Sequence, residues 1–473
     1  MNLFNKKKCI RTFFTVTALF TMLFCLAGCS KKTPREALDE AYQKTFVEGN
    51  PVEALLGLTE LGTKLNENKA HSTGYSFSIQ EISGKDLGSY AGYLTGLGLS
   101  VDSASDLLNR KSIATMDITY GGTTYLTLGG QIQGSELFLT VPQLLDSSLT
   151  VDLSTIEEDL NSDSMIGQLL RDNGITLPDD LFANLSQALT VTPENAESLI
   201  TAWEDLDAAI VVEKLGKKKI SLPDTVTAKK VYNVTVPKHA YVAFVNACLD
   251  YSDRTSASLT DAFGLSEEAT QQSSTDLLDT KLKFQEFADS IGDVVITVAV
   301  TKNGYINYMT STVTAEEDTA TFTASFTGEN APLEVCEVVI DATMDQKAYH
   351  FDLTLEFDTE TNEIDVFAVA SEDNTQLFSF DCVGTFNHVE KGQKFTLDLD
   401  YLELEYGTDF SLSLAGDYYV DTTVCDIPAP APSERNLLRM SQADFTALLI
   451  EVSTNLKEDP LLSGILGMLD FGL

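Results

Sequence analysis

The stretch Thr319–Phe326, which reads TATFTASF, alternates small polar side chains with apolar ones. Successive side chains of a β-strand point to opposite faces of the sheet, so every second residue shares a face. The stretch therefore predicts a strand with one solvated face and one buried face. The buried face would carry Ala320, Phe322, Ala324 and Phe326.

The same period-two pattern recurs on both sides of this stretch. It is clear in Tyr349–Phe357, where the tyrosine, phenylalanine and leucine side chains share one face, and again in Phe378–Phe386. Turn signals such as Lys391-Gly392 separate the alternating segments. From Asp293 to about Val420, the sequence predicts nine or ten antiparallel strands connected as a meander.

One of these strands breaks its own alternation. Phe395, Leu397 and Leu399 are in phase, but the apolar positions resume at Leu402 and Leu404. One extra residue restores the phase, and a β-bulge inserts one extra residue into a strand. A bulge is therefore predicted near Asp400-Tyr401, together with a bend of the sheet.

The cysteines of this region are predicted to be thiols. Cys336 and Cys382 fall on the apolar faces of strands that are three spacings apart in a meander, about 14 Å. A disulfide needs Cα atoms within roughly 7 Å. With Cys248 and Cys425, four cysteines could make two disulfides, but their placement favours buried thiols.

The rest of the chain mixes helices and strands. Residues 29–251 are predicted to form an N-terminal α+β region, with a helix that starts at Pro34 and a hairpin at Gly121-Gly122. Residues 252–275 are rich in Ser, Thr, Gln and Asp, a composition that predicts a polar linker. Residues 276–425 hold a helix and the β-meander.

The final residues, 426–473, are predicted to be a spacer and an amphipathic helix. Proline alternates through Ile427–Pro432, and Ser441 with Asp444 resembles a capping box. We expect the helix to dock over part of the sheet or against the N-terminal helices. Its apolar stripe is Phe445, Leu448, Leu449, Val452 and Leu456. The predicted fold class is α+β: a large, curved, mainly antiparallel β-meander sheet with helices covering one face.

The N-terminus has the three parts of a secretory signal peptide. Basic residues precede an apolar run, Phe13–Leu26, and the run ends in Leu26-Ala27-Gly28-Cys29. These four residues resemble the lipobox of bacterial lipoproteins. The resemblance implies that residues 1–28 are removed, and that the Cys29 thiol carries a diacylglyceryl group. The alternative is an ordinary signal peptide whose cleavage site happens to lie near a cysteine.

The net charge of the chain limits the classes of partner that it can bind. The leader holds four of the 31 basic residues, so 27 basic and 71 acidic residues remain, a formal net charge of −44 for the mature chain. Such an acidic chain is not expected to bind nucleic acid or to lie flat on anionic lipid. Two acyl chains on Cys29 are enough for lasting attachment. The expected location is therefore the cell membrane, lipid-anchored and facing the extracytoplasmic side.

The sequence offers no catalytic, cofactor or metal motif. The histidines His71, His239, His350 and His388 are scattered, without the paired spacing of a zinc site. The chain contains no G-x-S-x-G, no H-E-x-x-H and no phosphate loop. We therefore predict no catalytic residue, no cofactor and no metal ligand.

Over roughly residues 290–425, the order of elements resembles the LolA/LppX type of lipoprotein fold. In that fold a curved sheet cradles helices and can hold acyl chains, so the resemblance implies a hydrophobic ligand or an envelope partner. The predicted function is thus a membrane-anchored extracytoplasmic lipoprotein that binds without catalysis. Two alternatives remain: an extracellular hydrolase with carboxylates in a groove, and a structural or adhesive surface protein.

The lipobox resemblance makes a direct prediction for Cys29→Ala. The variant should remain unlipidated and be processed poorly, because the thiol is the acceptor of the lipid. Metabolic labelling with a fatty acid measures this, and label on the variant as strong as on the wild type would contradict it.

Overall fold

The computed structural model describes residues 33–67, 70–88, 91–160, 162, 164–172, 193–216, 222–223, 226–262, 267–315, 317–328, 331–433 and 435–458. Within these ranges, no helix combines the length and the apolar composition that crossing a membrane requires. The predicted signal peptide and Cys29 lie outside the described residues.

The described residues form 17 strands of an antiparallel sheet. The predicted meander after Asp293 is present as the last nine of them, β9 to β17. The strands are β1 (His71–Gly84), β2 (Leu97–Asp106), β3 (Lys111–Tyr120), β4 (Thr123–Gln133), β5 (Glu136–Thr140), β6 (Leu149–Asp152), β7 (Val211–Leu215), β8 (Lys230–Val236), β9 (Val294–Val300), β10 (Ile306–Ala315), β11 (Asp318–Thr327), β12 (Val335–Met344), β13 (Lys347–Asp358), β14 (Glu363–Glu372), β15 (Thr375–Glu390), β16 (Lys394–Tyr406) and β17 (Phe410–Asp421).

The described residues also form α-helices, which are not interleaved with parallel strands, so the fold has the predicted α+β class. The α-helices are α1 (Pro34–Tyr42), α2 (Pro51–Leu56), α3 (Leu58–Asn66), α4 (Ala91–Leu94), α5 (Ile156–Leu160), α6 (Met165–Asp172), α7 (Pro193–Ala209), α8 (Lys238–Ala262), α9 (Glu267–Ile291) and α10 (Gln442–Glu458). A short π-helix, Gln43–Val47, follows α1, and a 3₁₀ turn, Leu107–Asn109, follows β2.

The chain divides into two compact units whose boundaries differ from the predicted regions 29–251 and 276–425. Of the described residues, those within 1–54, 180–359 and 365–379 form unit 1, and those within 55–179, 360–364 and 380–473 form unit 2. Long-range strand pairing explains the difference: β8 pairs with β9 across the two long helices, and β1 pairs with β17. Neither unit is therefore a continuous stretch of sequence.

The sheet of unit 1 runs in the order β7-β8-β9-β10-β11-β12-β13, with every neighbouring pair antiparallel. Helices cover one face of it, and the core lies between the two layers. The predicted apolar face of β11 is part of this core, with Phe322 5% and Phe326 3% exposed. From the helices, the core takes Leu38, Ala41, Leu206, Tyr241 and Ala288.

The prediction of a polar linker at residues 252–275 is wrong. Residues 252–262 belong to α8 and residues 267–275 to α9, while residues 263–266 lie outside the described part of the chain. The two helices pair in an antiparallel manner: Lys281 forms an ion pair with Asp250, and Lys238 Nζ lies 2.9 Å from Asp289 Oδ1. Ser and Thr have weak intrinsic helix propensity, but such propensity is only a weak guide to structure, and here the composition did not reveal the helices.

The sheet of unit 2 runs in the order β6-β5-β4-β3-β2-β1-β17-β16. The predicted bulge in β16 is confirmed, because its register against β17 shifts between Leu399 and Leu402. A second shift lies on the other side of β17, between Ile79 and Glu81 of β1. Both bulges meet β17 at about Leu414, so the sheet is bent from both sides at one level.

The chain after β17 returns to the far edge of this sheet. Gln131 of β4 donates a hydrogen bond to the Pro428 carbonyl of the spacer, and the Thr150 amide donates to the Arg435 carbonyl at 2.9 Å. The latter contact lies beside a parallel bridge between Thr150 and Asn436, which occupies part of the outer edge of β6. The spacer thereby delivers α10 to the β5–β6 end of the sheet.

The C-terminal helix docks as expected, over part of the sheet. The predicted capping box is present: the Asp444 amide donates to Ser441 Oγ at 3.3 Å, and the Ser441 amide donates to Asp444 Oδ2 at 3.1 Å. Leu448 packs into a core with Leu145, Leu149 and Met440. Leu449, which was expected on the same stripe, is 54% exposed. One residue along a helix turns the side chain by about 100°, away from the sheet.

The neighbouring leucines of α10 form a matched pair for a test of this docking. Leu448→Ala should destabilise unit 2 by about 2–5 kcal/mol, because Leu448 is 7% exposed and its removal leaves a cavity. Leu449→Ala, an identical change at an exposed site, should cost less than about 0.5 kcal/mol. Thermal or urea unfolding compares them. Equal effects of the two substitutions would mean that α10 does not pack through this face.

Candidate functional site

The described residues do not gather the histidines or cysteines into a reactive centre. No group of three or more His, Cys, Asp or Glu side chains among them is arranged to hold a metal ion. His350 Nδ1 lies 2.8 Å from Asp341 Oδ1, on an exposed part of the β12–β13 pair. The predicted lipidation site, Cys29, lies outside the described part of the chain. The candidate site is instead a surface of the unit 2 sheet.

One face of this sheet is apolar across many strands. Residues directly opposite each other in an antiparallel pair share a face, so the register defines its membership. Tyr75 of β1 lies opposite Val101 of β2 and Tyr418 of β17. The apolar face of unit 2 comprises Met116, Ile118, Leu99, Val101, Tyr75, Phe77, Ile79, Leu412, Leu414, Tyr418, Leu397 and Leu399.

The apolar face is covered at its ends and open in the middle. At the β6 end, beside α10, Leu149 is 8% exposed, and at the β16 end Phe395 is likewise 8% exposed. Between them, Tyr75 and Leu99 are each 37% exposed and Tyr418 is 36% exposed. Large apolar side chains are thus exposed to water at the centre of a regular sheet, a position where they are usually buried.

An aromatic row crosses this face. The Phe386 and Phe395 rings lie edge to face at 5.7 Å, and the Phe395 and Tyr418 centroids are 6.0 Å apart. Tyr418 faces Tyr75 in the ladder, and Tyr75 continues the row to Phe77 at 5.7 Å. The row begins buried at Phe386 and becomes solvent-exposed at β17 and β1. The row therefore leads from the covered end of the face into its open centre.

The sequence did not indicate that residues of β1 and β2 belong to a functional site. Phe77 and Tyr75 alternate with serine and glycine in β1, which predicts a strand but not its neighbours. Their place in the aromatic row depends on the pairing of β1 with β17, more than 300 residues later in the chain. No local sequence pattern specifies that pairing.

The opposite face of the same strands is polar and tied by hydrogen bonds. The Tyr419 hydroxyl donates to Asp102 Oδ1 at 2.9 Å, and Ser76 donates to Asp417. Burial, together with the Asp102 carboxylate, raises the pKa of Tyr419 to about 12. Gly74 leaves room for this ring, since a Cβ there would lie 2.4 Å from the Tyr419 Cε1 atom. These contacts fix which face of β1 carries Tyr75 and Phe77.

Unit 1 provides an internal comparison. Its sheet has the same alternation, but α1 and α7–α9 cover the apolar face over β8 to β11. Val234 and Tyr232 are each 1% exposed, and Ala324 is fully buried. The same type of face is therefore shielded by helices in one unit and left open at its centre in the other.

Comparisons with known proteins add little to this geometry. No family model and no curated protein matches the chain. Among solved structures, two mutants of the vaccine antigen transferrin binding protein B from Haemophilus parasuis Hp5 are similar to it at 7% identity. The matches cover 75% of this chain and 75% or 76% of those chains, with a TM-score of 0.11. At that score neither their fold nor their function carries over.

The thiols are shielded rather than reactive. The four described cysteines are thiols, not disulfide-bonded, and each is partly buried. Burial, with the Glu337 carboxylate adding to it, raises the pKa of Cys336 to about 11. Burial likewise raises the pKa of Cys248. Since the thiolate is the nucleophilic form, neither residue is suited to covalent catalysis at neutral pH.

The raised pKa predicts slow alkylation of Cys336. At pH 8, a pKa of 11 leaves about one thiolate in a thousand, whereas an unfolded cysteine is roughly a quarter ionised. Iodoacetamide should therefore modify Cys336 at least tenfold more slowly in the folded protein than in denaturant, as measured by peptide mass. Recovery of a peptide joined covalently to Cys336 would contradict the assignment as a thiol.

Proposed function

We propose that this chain is an extracytoplasmic lipoprotein, anchored in the cell membrane through Cys29, that binds a hydrophobic or lipid ligand without catalysis. The anchor rests on the Leu26-Ala27-Gly28-Cys29 sequence after a basic and apolar leader. The ligand class rests on the open centre of the apolar face of unit 2. Together they suit a body that handles apolar molecules at a membrane surface.

The observation that carries the proposal is the exposure of Tyr75, Leu99 and Tyr418 on a regular sheet. Covering such a face removes apolar surface from water, which contributes a favourable free energy of roughly 25 cal/mol for each Å² buried. A long apolar ligand can lie along the aromatic row and contact aromatic rings along its length. The hydrogen-bonded polar face behind it holds the strands in register, so the site is formed before the ligand arrives.

Other functions have weaker support. An apolar segment of an envelope protein could cover the same face, and the open centre favours such a partner as the second candidate. A hydrolase with convergent carboxylates has weaker support. Burial raises the pKa of Asp39, with Arg35 opposing, but Asp39 belongs to α1 of unit 1 and is not part of the apolar face of unit 2. A purely structural role gives no reason for exposed aromatic residues at the centre of a sheet.

Charged substitutions in the open centre test the proposal. Leu99→Asp should raise the Kd for a fluorescent long-chain fatty acid at least tenfold, about 1.4 kcal/mol, because a carboxylate there is desolvated by the acyl chain. Titration of the mature chain carrying Cys29→Ser measures it, and native mass spectrometry shows whether lipid is carried through purification.

Leu278→Asp is the matched control, since Leu278 of α9 is 59% exposed and belongs to unit 1. It should bind the fatty acid like the wild type. Equal affinities for Leu99→Asp and the wild type, with both proteins folded by their melting curves, would exclude the apolar face as the site. Binding of neither wild type nor variants would leave the envelope-protein candidate.

A further inference from the structure

The turn between β2 and β3 presents two leucines to solvent. Leu107 is 53% exposed and Leu108 is 73% exposed, the latter more than any other large apolar side chain in the described residues. They stand in a three-residue 3₁₀ turn, where a tight connection between strands normally carries polar residues. Two adjacent leucines at such a turn are therefore not explained by the packing of the fold.

Hydrogen bonds hold the leucines outward. The Asn109 amide donates to Asp106 Oδ1 at 3.3 Å, and Asn109 Nδ2 donates to Asp106 Oδ2 at 2.7 Å. Arg110 takes a left-handed conformation with φ of 51°, and its amide donates to the Leu107 carbonyl at 3.1 Å. The Gly134 amide, from the β4–β5 turn, donates to the Arg110 carbonyl at 2.9 Å. Turning the leucines inward would break this set of contacts.

A third exposed apolar side chain lies at the same end of the unit 2 sheet. Val424 is 56% exposed, and its carbonyl accepts a hydrogen bond from Ser72 Oγ at 2.9 Å. The next residue, Cys425, places its Sγ 3.5 Å from the Ser105 carbonyl, two residues before Leu107. The exposed leucines are thus part of an apolar tip rather than an isolated pair.

Two basic residues follow the leucines after Asn109. Arg110 is exposed and Lys111 is half-buried at the start of β3. Acids also lie at this end: Asp106 is opposite Lys111 in the ladder and accepts hydrogen bonds from Asn109 on both carboxylate oxygens, and Asp426 is near the Cys425 thiol. At the same end, Asp421 accepts hydrogen bonds from the Thr423 and Val424 amides at 2.6 Å and 3.2 Å. In a chain with a formal net charge of −40, this places two basic side chains beside the most exposed leucines.

We propose that this tip, formed by Leu107, Leu108, Arg110 and Lys111, is a contact site for a phospholipid bilayer. The leucines enter the interfacial region and the two cations meet lipid phosphates, the arrangement by which apolar and basic side chains combine at membrane surfaces. The contact is distinct from the apolar face of unit 2 and does not depend on a lipid at Cys29.

A tip contact is compatible with the acidity of the chain. The Debye length is about 8 Å at physiological salt, so acids further from the bilayer are largely screened. A flat contact would press many carboxylates against anionic headgroups, whereas a strand turn brings only its own few residues to the surface. The short reach of the electrostatic repulsion thus favours an end-on approach.

Vesicle binding tests the proposal with the mature chain carrying Cys29→Ser, which has no lipid of its own. The vesicles are phosphatidylcholine alone, or phosphatidylcholine with roughly 30% phosphatidylglycerol. The wild type should bind both, and the anionic vesicles more tightly. Leu107→Ser with Leu108→Ser should weaken binding at least tenfold on both. Arg110→Gln with Lys111→Gln should abolish the preference for the anionic vesicles.

Two double variants elsewhere serve as controls. Leu278→Ser with Leu282→Ser removes exposed leucines from α9, and Lys229→Gln with Lys230→Gln removes an exposed basic pair. Both should bind like the wild type. The proposal is overturned if the wild type does not bind vesicles. It is also overturned if the leucine tip variant binds vesicles like the wild type, or if the control variants weaken binding as much as the tip variants do. Self-association that is lost only in the leucine tip variant would identify a second copy as the partner instead.

Discussion

The alternation of polar and apolar side chains along each strand imposes one condition on both units: the apolar face of the sheet must be kept from water. In unit 1 the condition is met by α1 and α7–α9, and the central strands of that face are almost completely buried. In unit 2 it is met only at the two ends. The difference in cover, rather than in the strands themselves, separates the buried core of unit 1 from the partly exposed face of unit 2 that we propose as a binding surface.

The bend of the unit 2 sheet follows from the same strands. Bulges in β1 and β16 flank β17 at the level of Leu414, so the extra residue on each side is matched by one undisturbed central strand. Gly74 and Tyr419 add a second constraint on the polar side, where the ring lies over the glycine and reaches Asp102. A side chain in place of the glycine would displace the ring from Asp102 and weaken a contact that links β17 to β2 across β1.

Much of the fold could be predicted from the sequence because its information is local. The meander, the β16 bulge and the capping box at Ser441 each depend on a few adjacent residues. Strand β2 was not predicted, since glycines and acids obscure its alternation, and β7 is short and mostly exposed. The segment 252–275 has a linker composition, but its described residues belong to two long helices whose core contacts lie outside the segment, at residues such as Tyr241 and Ala288. The candidate site depends on the β1–β17 register, which no local pattern encodes.

The pairing of β1 with β17 also bears on how the chain reaches its native state. Ser76 and Asp417, which share a hydrogen bond across these strands, are 341 residues apart. Closing so long a loop must precede the contacts that reward it, and proteins dominated by distant pairings fold slowly. Strand β1 can pair with β2 early, but its other edge has no partner until β17, near the end of the chain, has been synthesised. For a chain proposed to be exported, the β1–β17 ladder would therefore close only after the C-terminal strands have crossed the membrane.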